Sequence, residues 1–66
     1  MKKRQQDIYD FIKAYMAENQ YSPTFREIAK AVGLSSPSTV HKHLNTLRSN
    51  GYINYIDSCS RTIQIS

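Results

Sequence analysis

Between Ser35 and Arg48 the chain reads Ser-Ser-Pro-Ser-Thr-Val-His-Lys-His-Leu-Asn-Thr-Leu-Arg. The side chains able to do chemistry there are hydroxyls, two imidazoles, an amide and a lysine. Catalysis is a poor fit. No Ser, His and Asp grouping suggests a nucleophile, and the serines serve as helix caps and turn formers. His41 and His43 stand two apart, which on a helix points them to different faces and not toward one metal ion. Further ligands would have to come from the acids or from Cys59, the single cysteine. Neither a metal nor another cofactor is expected. Hydrogen bonding to a partner fits better. Ser38, Thr39, His41, Lys42 and Asn45 are short or medium polar groups with few acids among them, and such a face suits a DNA major groove.

A helix must carry that face. Val40, Leu44 and Leu47 recur at i, i+4 and i+7, so they share one side turned toward a core. Pro37 suits the first helical position, where its missing N–H costs nothing, and Ser36 can cap the N–H groups behind it. Arg48 lies in the last turn, and Gly51 supplies a left-handed residue past the end. The expected helix runs from about Pro37 to Asn50.

Upstream, Ile8, Phe11, Ile12, Tyr15 and Met16 form a full apolar stripe and predict a helix from Arg4 through Asn19. Lys2, Lys3 and Arg4 ahead of it read as a solvated terminus. Pro23 biases Ser22 toward extended geometry, and a very short strand is expected around Tyr21-Ser22. Thr24-Phe25-Arg26-Glu27 matches a capping box opening a second helix over about Phe25 to Val32. Ile28, Ala29 and Val32 form its buried face, Gly33 ends it, and Leu34 folds back. A phosphate is expected at its N-terminus, near Thr24 and Arg26. A short helix, a glycine, a tight turn and a long capped helix make a helix-turn-helix. After Gly51 the period changes. Tyr52-Ile53-Asn54-Tyr55-Ile56 and Thr62-Ile63-Gln64-Ile65 read as two strands around the polar turn Asp57-Ser58-Cys59-Ser60. The fold class is mainly α with a small β-hairpin: a winged helix-turn-helix of three helices and a C-terminal two-stranded wing.

With 66 residues the chain is expected to be one domain, 1–66, with a small core and no room for a deep cleft. Nine Lys and Arg against five Asp and Glu give a net charge of +4, which favours a polyanionic partner. The lone cysteine suits a reducing cytoplasm. The basic start gives way to Gln5, Gln6 and Asp7 where a signal peptide would be apolar, and nothing approaches a membrane span. A soluble cytoplasmic protein is expected.

Four stretches together resemble the N-terminal DNA-binding domain of the LexA repressors of the bacterial SOS (DNA damage) response: Arg4-Gln5-Gln6, residues 23–29 (Pro-Thr-Phe-Arg-Glu-Ile-Ala), residues 32–44, and Gly51-Tyr52-Ile53 with Ser60-Arg61. The resemblance covers essentially the whole chain. It implies transcription regulation by sequence-specific binding to double-stranded DNA. The family's base-contacting positions fall on Ser36, Ser38, Thr39, His41 and Lys42, and its wing contacts fall near Ser60 and Arg61. Thr24, Arg26 and Asn45 join those two as expected backbone contacts. The Ser-Thr-Val-His-x-His-Leu form resembles the branch whose half-site begins GAAC. LexA repressors continue into a dimerising domain with a self-cleaving Ser–Lys dyad. These 66 residues contain no counterpart, so the resemblance brings no enzyme activity to them. Two copies on an inverted repeat, one per half-site, and a monomer in isolation are the corresponding expectations. Pairing through the C-terminal domain is the other route to a dimer. Two rivals are a winged-helix module that binds protein and a stand-alone regulator unrelated to SOS control. A hydroxyl-rich face with few aromatics argues against the first.

Overall fold

The computed structural model describes residues 2–56 and 61–65. Among these residues the chain forms α1 (Lys3–Asn19), α2 (Phe25–Val32), α3 (Pro37–Ser49), β1 (Ile53–Asn54) and β2 (Gln64–Ile65). The mainly helical winged helix-turn-helix architecture is therefore present. α2 packs against both α1 and α3, and α3 carries the hairpin.

The apolar stripes meet as their periods require. Ile8 and Ile12 of α1, Ile28 and Ala29 of α2, and Val40, Leu44 and Leu47 of α3 are buried together with Ile53, Tyr55 and Ile63. Burying each large aliphatic side chain is worth roughly 1.5–3 kcal/mol, which makes this cluster the main stabilising feature of so short a chain. Phe11, Met16, Val32, Leu34 and Ile65 pack around it half-buried.

Four helix ends are set by local chemistry. α1 stops where Gln20 adopts a left-handed conformation (φ 63°) and its N–H bonds to the Met16 carbonyl. α2 opens on a complete capping box: Thr24 Oγ1 accepts from the Glu27 N–H, while Glu27 Oε1 accepts from the Thr24 N–H. It closes on Gly33 at φ 76°, and the Leu34 N–H then bonds back to the Ala29 carbonyl. α3 starts with Pro37 in its first turn and Ser36 Oγ accepting from the Ser38 N–H at 3.2 Å. Arg4 is no loose terminal charge: its Nη1 donates to the Val32 carbonyl at 2.6 Å, joining the start of α1 to the end of α2.

Two local expectations need correcting. The segment at Tyr21-Ser22 is not a strand. Gln20 turns the chain, Ser22 is buried, and the Ser22 carbonyl accepts from an arginine side chain and not from a neighbouring strand. The wing strands are also shorter than their sequence suggests. They pair antiparallel only through Ile53 with Ile65 and Asn54 with Gln64. Side chains take over the backbone groups beyond that: Asn54 Oδ1 accepts from the Tyr55 N–H, and Thr62 Oγ1 both accepts from the Ile56 N–H and donates to the Ile56 carbonyl. Such local bonds compete with a ladder. The expected turn Asp57-Ser58-Cys59-Ser60 lies outside the described residues.

Candidate nucleic-acid interface

α3 presents two faces. Val40, Leu44 and Leu47 are buried, whereas Ser38, Thr39, His41, Lys42, Asn45 and Thr46 are exposed. The exposed face therefore holds the expected base-reading side chains, with Lys42 as a cation and no acid on it. Ser36 sits half-buried at the head of the helix. Its oxygen holds the cap, and a hydroxyl in that role keeps its own proton to donate. His43 lies half-buried.

His41 is more constrained than an ordinary surface histidine. Its ring stacks on Phe25 with centroids 5.7 Å apart and planes 28° from parallel. Tyr55 meets it edge-on at 6.2 Å and meets Phe25 at 5.6 Å. The imidazole of α3 thus rests on the first residue of α2 and on the segment after β1. Sequence periodicity could not supply this contact, because Phe25 and His41 belong to different helices. Arg48 adds a further layer, its guanidinium carbon 4.1 Å from the Tyr55 ring centroid and its Nη1 donating to the Tyr55 carbonyl. Its Nη2 donates to Asn45 Oδ1 at 3.0 Å, so Asn45, an expected backbone contact, already has an intramolecular partner.

The head of α2 lies alongside. Thr24 is half-buried with its oxygen in the cap, and Arg26 is exposed. Arg26 and Lys30 line an open groove with Ala29, Leu34, Ser35 and Pro37, between α2 and the start of α3. Two cations and the backbone at two helix starts form an anion-tolerant rim beside the exposed face of α3. Ser60, the other expected wing contact, lies outside the described residues.

Arg61 turns inward to a polar cluster that the sequence reading missed. Its Nη1 donates to the Ser22 carbonyl at 3.0 Å and to the Tyr15 hydroxyl at 3.3 Å, and it stands 3.2 Å from Glu27 Oε1. Its guanidinium carbon lies 4.7 Å from the centroid of the Tyr21 ring. The Tyr15 hydroxyl donates to Glu27 Oε2 at 3.1 Å. The Thr24 N–H foremost holds the Glu27 carboxyl below the ordinary carboxylate range, with burial opposing and then the Tyr15 hydroxyl and the Arg61 charge assisting. Tyr15 is pushed up. The hydrogen bond from Arg61 is the largest single influence and acts downward, but burial, Tyr21 and Glu27 together outweigh it. Tyr15 therefore keeps its proton and remains a donor.

Residues 1–62 match the family described as the LexA DNA binding domain. The chain belongs to the LexA DNA-binding domain family. The LexA repressors of Bacillus mycoides, Bacillus cytotoxicus and Bacillus anthracis are each 54% identical to it over 63 residues, covering 96% of this chain and 31% of theirs. The chain thus spans about a third of the length of these relatives. The family's description makes DNA the partner class of the domain, and the helix-turn-helix formed by α2 and α3 is in keeping with it. Among the described residues no helix is long and apolar enough to cross a membrane, and no cluster of His, Cys, Asp and Glu could hold a metal ion.

Proposed function

We propose that this LexA-type domain is the operator-reading part of a bacterial transcription repressor, acting in the cytoplasm. α3 enters the major groove. Ser36, Ser38, Thr39, His41 and Lys42 reach base edges, with His41 held on the Phe25 and Tyr55 rings so that its nitrogens meet the groove in a fixed orientation. Thr24 and Arg26 at the head of α2 and Asn45 on α3 contact phosphates and fix the register. One copy reads one half-site of an inverted repeat, and pairing occurs on the DNA or through a further domain. SOS-type control of target genes follows from the resemblance to the LexA repressors. The observation that carries this reading is the exposed, acid-free polar face of α3 opposite its buried Val40, Leu44 and Leu47.

The protein-binding alternative has less support. Among the described residues the exposed large hydrophobic side chains are Tyr21, Tyr52 and Ile56, none of them on α3. A binding selection on random duplex DNA, followed by salt titration on the best site, tests the proposal. An enriched half-site motif with a steep loss of affinity as salt rises is the expected result. Enrichment of no motif would refute sequence reading by α3.

A further inference from the structure

The inward turn of Arg61 gives the wing a fixed attachment. Four partners surround one guanidinium, and they belong to three different places: Tyr15 near the end of α1, Tyr21 and Ser22 in the connector, and Glu27 in the first turn of α2. Arg61 itself lies on the return side of the hairpin, just before the buried Ile63. Its backbone is left-handed, φ 57°. That conformation is unfavourable for a non-glycine residue, and such strain persists only where the surroundings over-determine it. The Glu27 end is equally committed, because the same oxygen that faces Arg61 also accepts the Thr24 N–H that caps α2. Both charged side chains remain about two-fifths exposed, 41% and 38%, so screened Coulomb attraction alone would hold them weakly. The shared geometry with Ser22, Tyr15 and Tyr21 is what localises the guanidinium.

We propose that Arg61 is a positioning residue for DNA binding, a latch that docks the wing onto the α1–α2 corner through Glu27, Tyr15 and Ser22, and not itself a phosphate contact. The latch sets the wing relative to the head of α2, so the two parts of the surface that meet the DNA backbone move as one. This rests on the DNA-reading role of the domain proposed above.

Lysine separates the two roles. A phosphate contact needs a positive charge, which Arg61→Lys retains, whereas an ammonium has no planar face to lie over the Tyr21 ring while a nitrogen reaches Ser22, Tyr15 and Glu27. Affinity for the selected duplex and the melting temperature without DNA are measured for Arg61→Ala, Arg61→Lys, Glu27→Gln and the Arg61→Ala/Glu27→Gln pair. The latch requires both Arg61 variants to melt earlier and to bind at least about twofold more weakly. It also requires the double variant to lose less than the product of the single losses. Wild-type affinity in Arg61→Lys, or strict additivity with Glu27→Gln, overturns it. Should an Arg61 variant fail to fold, Tyr21→Ala leaves the cation in place and removes the ring beneath it. Lower affinity in that variant supports the latch, and unchanged affinity and melting overturn it. The melting arm needs no DNA, so if the wild-type chain shows no operator preference, coupling between Arg61 and Glu27 in stability still decides whether the latch exists.

Discussion

His41 illustrates how far one side chain's neighbours define what it can read. A histidine free to rotate presents donors and acceptors in many directions, while one stacked at 5.7 Å on Phe25 presents them in few. Replacing Ser38, Thr39 or His41 by Ala should cost on the order of 1–3 kcal/mol on the preferred duplex and narrow the gap to mismatched sites. Competition binding on a panel of single-base variants measures this, and an unchanged preference in the triple Ala variant would remove α3 from base reading. Arg26→Ala should weaken all duplexes by similar factors and make the slope of log affinity against log salt shallower by about one unit, with little change in melting. Glu27 adds a pH dependence. Its folded-state pKa is the lowered one, so its stabilising contribution is complete above the unfolded value of about 4.3 and is lost as pH falls through the folded value. Between pH 5 and pH 3 the melting temperature of the wild type should therefore fall more steeply than that of Glu27→Gln. Parallel curves would show that Glu27 titrates alike in both states.

At the scale of elements, the helices were legible because their determinants are local. Apolar spacing within one or two turns, a Thr-x-x-Glu box, a Ser-Pro start and a glycine stop each lie within a few residues of what they control. The head of α2 makes this testable. Thr24→Ala removes the acceptor for the Glu27 N–H and should cost ~1 kcal/mol of stability, with binding weakened evenly across sequences. A melting curve that stays in place would mean the cap contributes nothing. The wing was legible in kind but not in extent. Asn54 and Thr62 divert backbone groups from the ladder, and no alternation of residue types announces that. Nor could periodicity reveal the Arg61 cluster, whose members stand 39 and 46 positions apart at Ser22 and Tyr15. The exposure of Ser38, Thr39, His41 and Lys42 on α3 was legible because a helix exposes what it does not bury. The inward turn of Arg61 has no local sign, because its partners lie on α1, the connector and α2.

For the whole molecule, a net charge of +4 on 66 residues supplies long-range attraction to a polyanion, while the direction of reading depends on one helix face. The apolar side chains of the described helices are largely spent on the shared core, and the isolated chain is expected to sediment as a monomer at micromolar concentration. A stable dimer in ultracentrifugation would contradict that. The inward-turned Arg61 also bears on the order in which the chain acquires its structure. Contacts between neighbouring helices close shorter stretches of chain, 28 positions for Arg4 with Val32, and rates of folding follow such closures. Joining Arg61 to Tyr15 closes a loop of 46 positions, so it should form after the rate-limiting step. Arg61→Ala should then speed unfolding while leaving the refolding rate nearly unchanged, as measured by stopped flow in denaturant. A wing that is the last part to close should also be the first to open, ahead of the three helices.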